Sequence, residues 1–280
     1  MRARWIRPCS GVIFTDLDNT LVDRRARPGG AAIHVMEALS LGYLVVPVTS
    51  KSIYEIVELW DEIGVPSGLR LAIPESGGAL YAPKGTLSKP SGYNADVGLE
   101  YLSLGSRLED LEQEISMLES ICGAERLSKA GPRLAAEITG LPIQLASLAA
   151  RREYLEVFWS PDKSCLEEIH VRALELGLYT ILSRRTVHVA GHKGKGAAAL
   201  EFLKEPVLAP CSRRVIAVGD SSHDQPLMEI AGYSFRIANE GAPWDKTSVT
   251  KYRPLPLEAP EGWSAMWSEV KSLLYHAPSY

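Results

Sequence analysis

The chain lacks the features that mark several large classes of protein. Its 280 residues contain no apolar run of about 18 or more, so no membrane span is expected. Basic residues are not in excess. With 30 Lys+Arg against 34 Asp+Glu the net charge is −4, which argues against a nucleic-acid partner, whose binding face is usually basic. Cysteine is scarce: Cys9, Cys122, Cys165 and Cys211 lie far apart with no Cys-x-x-Cys pair, so a zinc site is not expected. Buried free thiols in a reducing compartment are the expectation, with a disulfide as the alternative if the source is a hyperthermophile. The residues from Met1 to Gly11 are basic but carry no apolar segment, so no secretory leader is expected and the cytoplasm is the expected location. No internal repeat or low-complexity segment is evident.

An apolar fraction of 46% is ordinary for a soluble globular protein, and the length allows one large domain or two smaller ones. Strand-like and helical runs alternate in the first part of the chain. Gly11 to Thr15 reads as a buried strand, Gly29 to Leu41 as a helix, Tyr43 to Val48 as a strand, Ile53 to Ile63 as an amphipathic helix and Leu71 to Ile73 as a third strand. This rhythm predicts a parallel, doubly wound sheet. It changes near Pro83. Helices are predicted at Arg107 to Cys122, Arg133 to Thr139, Pro142 to Ala150 and Cys165 to Leu176. Strands are predicted at Tyr154 to Trp159, Tyr179 to Leu182 and Thr186 to Ala190. The first rhythm resumes with a helix from Gly194 to Lys204 and strands at Arg213 to Val218 and Gly232 to Ile237. The fold class expected is therefore α/β. Residues 1–83 and 191–280 form a Rossmann-like core, residues 84–190 an inserted α+β cap domain, and a terminal helix packs on the core.

The densest chemistry is Asp16-Leu17-Asp18-Asn19-Thr20, directly after the first strand. Open α/β sheets bind ligands at the carboxyl ends of their strands, although Asp and Asn are also common in plain helix-capping turns. Three more features fall at strand ends or helix starts. Thr49-Ser50-Lys51 closes the second strand, where a hydroxyl and backbone N–H groups can hold a phosphoryl oxygen. Lys193 and Lys195 lie in a glycine-rich turn before a helix, and lysine suits phosphate as a point charge. Asp220 and Asp224 follow the strand Val215 to Val218, and two such carboxylates suit a hard cation.

The Asp-x-Asp-x-Thr motif after a strand resembles the first motif of the haloacid dehalogenase superfamily, and the other features occur in the order which that superfamily uses. The resemblance implies a Mg2+-dependent phosphatase. Asp16 is then the nucleophile and Asp18 the general acid and base. Thr49 and Lys193 hold the phosphoryl oxygens. Asp16, the backbone carbonyl of Asp18, and Asp220 bind Mg2+ with support from Asp224. Thr20 fixes the turn.

Three segments narrow the resemblance: Glu75-Ser76-Gly77-Gly78-Ala79-Leu80, Ile138-Thr139-Gly140-Leu141-Pro142, and Ala149-Ala150-Arg151-Arg152-Glu153-Tyr154. They resemble the mannosyl-3-phosphoglycerate phosphatases, whose type IIB cap closes over the site. That family implies a phosphorylated sugar-glycerate as substrate. Ser50, Lys51, Arg152, Glu153, Arg185 and His188 are then substrate contacts, while Arg151, Arg184 and Glu156 are expected on a solvated face. The chain departs from the family at Leu155-Glu156-Val157-Phe158, where Asp-Glu-Pro-Phe is usual. It also departs at His223, where Asn is usual, and at Gly196, where Ala is more common. The last departure leaves Lys195 as the alternative to Lys193. The competing readings are a phosphatase for glucosyl-3-phosphoglycerate, sucrose-6-phosphate or trehalose-6-phosphate, a phosphosugar mutase, and a sugar-phosphate sensor without activity.

Overall fold

A computed structural model describes residues 9–240, 242, 244 and 251–275. In chain order its first elements are β1 (Gly11–Thr15), α1 (Ala31–Ser40), β2 (Tyr43–Pro47), α2 (Ile53–Ile63), β3 (Ala79–Ala82), β4 (Gly92–Asn94) and β5 (Leu99–Ser103). Next come α3 (Glu112–Ser120), β6 (Glu125–Arg126), α4 (Pro132–Thr139), α5 (Ile143–Ala149), β7 (Leu155–Trp159), α6 (Lys163–Glu175), β8 (Tyr179–Leu182) and β9 (Thr186–Ala190). The chain then returns through α7 (Lys195–Leu203), β10 (Val215–Gly219), α8 (Gln225–Glu229), β11 (Tyr233–Ile237), β12 (Arg253–Leu255) and α9 (Glu261–Tyr275).

The main sheet is parallel throughout, in the order β12-β11-β10-β1-β2. β1, β2 and β10 are buried along their whole length, as a parallel sheet covered on both faces requires. Successive side chains of a strand point to opposite faces. Ile13, Val45, Ile216 and Val218 meet α1, α2 and α9 through Val35, Ile56, Trp60, Trp263 and Trp267. Val12, Phe14, Val46 and Ala217 meet α7 and α8 through Ala198, Phe202 and Leu227. The expected terminal helix is α9. Trp267 and Lys271 on it both donate to Glu37 of α1, each at 2.8 Å.

The segment Leu71 to Ile73, expected as a third strand, forms only single bridges, Val48 with Ile73 and Ala72 with Tyr81. Pro74 follows at once and has no N–H to extend a ladder. The short strands β3, β5 and β4 form a separate antiparallel sheet. Its Leu80, Ala82 and Leu102 side with one face of the core and Tyr81, Leu99 and Tyr101 with the other. Residues 84–104 were expected in the insertion, yet they pack with the core.

The insertion's own sheet is antiparallel, in the order β6-β7-β9-β8. Phe158, Val187 and Val189 face α3 and α6, whereas Leu155, Val157 and Ala190 face α4 and α5. The two connecting segments pair with each other, the N–H of Ser106 donating to the carbonyl of Gly191 at 3.2 Å. Glu156, expected on a solvated face, is fully buried beside Phe158. It accepts from Arg126 Nε at 2.9 Å and from the Ser128 N–H at 3.1 Å. A lone buried carboxylate is costly, so its guanidinium partner is part of the cap's core.

The free-thiol expectation is corrected. Cys9 is bonded to Cys211 and Cys122 to Cys165, with Cα atoms 5.0 and 5.8 Å apart, and no free cysteine remains. The first pair ties the approach to β1 to the turn before β10, and the second ties the end of α3 to α6. In the chain-entropy picture a loop closed over 43 residues stabilises by about 4 kcal/mol. Chemical denaturation of a Cys122→Ala, Cys165→Ala double variant is expected to show a loss approaching that size, and reductant, which also opens Cys9–Cys211, should produce a larger loss in the parent chain.

Candidate active site

Each chemical group in the site is carried by the end of an element. Asp16 follows β1, and its N–H still bonds the carbonyl of Val218 at 3.0 Å. Asp220 follows the neighbouring strand β10. Lys195 is the first residue of α7. Its ammonium lies 2.7 Å from Asp16 Oδ1 and 2.7 Å from Asp224 Oδ1, and all three groups are buried. Lys193 is exposed, which corrects the expectation that it is the lysine of the site. Only Lys195, on the helix itself, is turned inward. Two glycines make this close packing feasible. A Cβ on Gly219 would come 2.3 Å from Asp224 Cβ, and one on Gly196 would come 2.5 Å from the Pro226 carbonyl oxygen. The contact at Gly196 gives a physical reason for its glycine, where the family more often has alanine.

Thr20 does more than fix a turn. Its hydroxyl is 3.4 Å from Asp16 Oδ2 and 3.4 Å from Asp220 Oδ1, so it bridges the two carboxylates. Asp224 also accepts from the N–H groups of Asp220 (3.1 Å) and Ser221 (3.2 Å). Asn239 donates to Asp220 Oδ2. Sequence reasoning missed Asn239. The signal was its place just past the carboxyl end of β11, the same rule that singles out Asp16 and Asp220.

Asp16, Asp220 and Asp224 each offer an oxygen, and these oxygens lie within 4.8 Å of one another. Three carboxylates around one ammonium leave two negative charges uncovered. Burial, opposed by Lys195 and reinforced by Asp224 and Asp220, pushes Asp16 up to about 8. Burial together with Asp224 pushes Asp220 up to about 7. Asp224 goes the other way: Lys195 and the backbone N–H groups outweigh its burial and hold it below the ordinary carboxylate value. Lys195 is held above its ordinary value by Asp16 and Asp224, against the effect of burial. An all-oxygen donor set with a net charge deficit fits a hard divalent cation.

Asp18 stands apart from this cluster. Its side chain is 46% exposed and its Oδ1 is 3.0 Å from Lys51 Nζ, which also reaches Glu55 Oε1 at 3.2 Å. Thr49 is buried, its hydroxyl accepting from the Lys51 N–H at 3.3 Å. Ser50 is the residue of that turn that lines both site cavities. The inner cavity, about 170 Å3, is lined by Asp16, Asp18, Ser50, Ser76, Lys195 and Asp220 among others. The outer one, about 390 Å3, runs from Asp18 and Lys51 to the cap residues Thr139, Arg152 and His188.

Of the four cap residues expected to touch a ligand, two are in place. Arg152 lines the outer cavity, with Nη1 donating to the Ser50 carbonyl at 3.0 Å and Nε buried without a partner among the described residues. His188 lines both cavities, and its Nδ1 is likewise buried and unpartnered. Burial, with Arg152 nearby, pushes His188 down to about 3, so the ring is neutral. Glu153 and Arg185 are corrected. Glu153 is held by Arg107 at 2.9 Å and by the Tyr54 hydroxyl at 3.4 Å, and it lines neither cavity. Arg185 is exposed on the turn between β8 and β9. Arg24 was not anticipated, yet it lines the outer cavity from the loop after β1. No local pattern marks it.

Glu75 joins the two parts of the molecule. Its buried carboxylate accepts from the N–H groups of Glu153 at 3.0 Å, Tyr154 at 2.8 Å and Leu155 at 2.8 Å. Burial, opposed by Arg152 and those N–H groups, brings it to about 7.

Several known proteins resemble the chain. A mannosyl-3-phosphoglycerate phosphatase of Aeropyrum pernix is 52% identical over 268 residues, covering 95% of this chain and 96% of the relative. One from Pyrococcus horikoshii is 29% identical, covering 81% and 90%. A glucosyl-3-phosphoglycerate/mannosyl-3-phosphoglycerate phosphatase of Methanococcoides burtonii is 28% identical, covering 90% and 94%. Among solved structures, a haloacid dehalogenase-like hydrolase from B. subtilis superposes with a TM-score of 0.68 at 18% identity, covering 92% of this chain and 99% of its own. The sucrose-phosphatase of Synechocystis superposes with a TM-score of 0.60 at 15% identity, covering 94% and 98%. These two establish the fold, a haloacid dehalogenase-like core carrying a cap. No family model matches the chain.

The raised carboxylates generate a prediction with a definite sign. A carboxylate raised by folding favours the folded state at low pH, and that advantage is lost as pH climbs from the unfolded value of 3.8 through the folded values of about 7 and 8. In EDTA the melting temperature is therefore expected to fall between pH 5 and 8.5. Added Mg2+ should raise it more at pH 8.5 than at pH 5. Asp220→Asn should abolish most of the Mg2+ increment, as read by differential scanning calorimetry.

Proposed function

The chain belongs to the mannosyl-3-phosphoglycerate phosphatase family, and on that premise we propose that it hydrolyses mannosyl-3-phosphoglycerate to mannosylglycerate and phosphate with Mg2+ as cofactor. The observation that carries this reading is the buried constellation of Asp16, Lys195, Asp220 and Asp224, set at the carboxyl ends of two adjacent parallel strands and opening toward the cap.

In this reading Asp16 is the nucleophile. One of its carboxylate oxygens bonds to phosphorus as the ester P–O bond breaks, and Asp18 gives its proton to the departing alcohol. Asp18 then takes a proton from water, whose oxygen displaces Asp16 and releases orthophosphate. Asp18 lines both cavities, so it can face the departing alcohol and then the attacking water. Lys195 opposes the effect of burial on Asp16 and adds positive charge beside the transferring group. Asp224 holds that ammonium in place. Asp16, Asp220 and Asp224 are the side chains that would hold Mg2+, which when bound offsets their charge and polarises the phosphoryl group. Ser50, beside the buried Thr49, supplies a hydroxyl at the end of β2.

On the cap side, Arg152 and the neutral His188 line the outer cavity. A guanidinium suits the glycerate carboxylate, and a neutral ring nitrogen suits a sugar hydroxyl. At about 390 Å3 the cavity is in the range of small-molecule sites. A charged, phosphorylated substrate does not cross membranes unaided, which supports a cytoplasmic location in this reading. Among the described residues no helix is long and apolar enough to cross a membrane.

Phosphate release over a panel of phosphosugars and glycosyl phosphoglycerates, with Mg2+ and with EDTA, tests the reading. The mannosyl compound is expected to lead, with the glucosyl compound as comparator because the Methanococcoides relative's name covers both. Preference for a hexose 6-phosphate would sink the substrate assignment. Tight binding without phosphate release would favour a sensor. Asp16→Asn should lower kcat by about 10³-fold or more.

The two lysines separate by position. Lys195→Met is expected to cost at least about 10²-fold in kcat/KM, while Lys193→Met, at an exposed residue, should stay within about twofold. Steady-state kinetics on the same substrate reads both.

A further inference from the structure

Ser76 is unaccounted for by the roles above. It is fully buried and lines the inner cavity with Asp16, Lys195 and Asp220. Its hydroxyl has no hydrogen-bond partner among the described residues. A buried hydroxyl left unpaired costs free energy, and here the gap lies beside the reacting groups.

The backbone holds Ser76 there under strain. Glu75, Ser76 and Gly77 all have left-handed conformations, with φ of 50°, 58° and 115°. Serine has no special tolerance for that region, and such residues persist only where surrounding structure enforces them. The enforcement is visible. The Ser76 N–H donates to the Thr49 carbonyl at 2.7 Å, and the Glu75 N–H donates to the Lys51 carbonyl at 2.9 Å. On the other side the Glu75 carbonyl accepts from His192 Nε2 at 2.8 Å, and Gly77 lies so close to Gly194 that a Cβ would sit 2.7 Å from its carbonyl oxygen. The Glu75–Gly77 turn is thus wedged between the end of β2 and the start of α7, the two places that supply Ser50 and Lys195.

We propose that the Ser76 hydroxyl is a further binding group of the phosphoryl site, donating a hydrogen bond to a phosphoryl oxygen. A phosphoryl dianion only accepts, and a hydroxyl with no partner among the described residues is a donor available to it. This rests on the reading of the inner cavity as the phosphate site and adds a donor from outside the strand-end motifs.

The test is calorimetric titration of inorganic phosphate in Mg2+, paired with melting temperatures, for the parent chain and for Ser76→Ala, Ser76→Gly and Ser76→Asn. Ser76→Ala and Ser76→Gly are expected to weaken phosphate binding about tenfold or more, since the lost bond is to a charged group. Ser76→Gly should melt at or above the parent temperature, because glycine accepts the left-handed backbone. Ser76→Asn keeps a donor and tolerates that backbone, so it should bind within about threefold of the parent. Unchanged phosphate binding in Ser76→Gly would overturn the inference and leave the phosphatase reading intact. So would weaker binding that always accompanies a lower melting temperature in both truncations. Failure of the parent chain to bind phosphate would instead remove the phosphate-site reading, and this inference with it.

Discussion

The shared ammonium of Lys195 is the contact on which the rest of the site depends. Asp16 and Asp224 are buried carboxylates, and each is met by the same Nζ at 2.7 Å. Removing one charge from such a group leaves the others buried without compensation, which costs several kcal/mol. The fold therefore has to deliver β1, β10, the turn after β10 and the start of α7 to one point with little tolerance. The parallel pairing of β1 with β10 does this for the aspartates. The glycines at 196 and 219 do it for the helix and the turn, by letting backbone and side chain approach closer than any Cβ permits. The lysine still covers only part of the negative charge, and the remaining charge suits a hard cation.

The cap is held to this centre by charge as well. Glu75 leaves the core and captures three successive N–H groups at the start of β7. Those N–H groups adjoin Arg152, whose guanidinium in turn bonds the Ser50 carbonyl at the end of β2. The chain of contacts runs from the strand ends of the core through the cap and back. Within the cap, Arg126 and Glu156 form a second buried pair, and Arg126 extends to Glu112 at 2.8 Å. The charge on β7 is thus internal to the cap.

Much of this was legible in the sequence, for identifiable reasons. Buried parallel strands read as short apolar runs, so β1, β2 and β10 and the carboxylates at their ends could be placed by counting. Amphipathic helices such as α2 carry their own periodicity. The strands β3, β4, β5, β6 and β12 were not anticipated, and β4, β6 and β12 hold only two or three residues, too few for a period. Glu156 was misassigned because a charge in a strand looks the same whether it meets water or a guanidinium 30 residues away. Lys193 and Lys195 could not be separated, since glycines flank both and the direction of a side chain at a helix start depends on where the helix is docked. The cysteine pairs were hidden for a related reason: partners 202 and 43 residues apart leave no local trace.

The sequence by itself determined the reaction class. The chemistry needs particular groups at strand ends, and strand ends are local properties of the chain. It also named the family, through segments whose spacing is covalent. Only the tertiary structure decided which lysine meets Asp16, which cap residues line the cavity, and that Thr20, Asn239 and Ser76 stand at the candidate site. Those are facts of side-chain direction and long-range approach. They are set by how separate elements pack, and packing at ångström precision is not encoded in any one stretch of the chain.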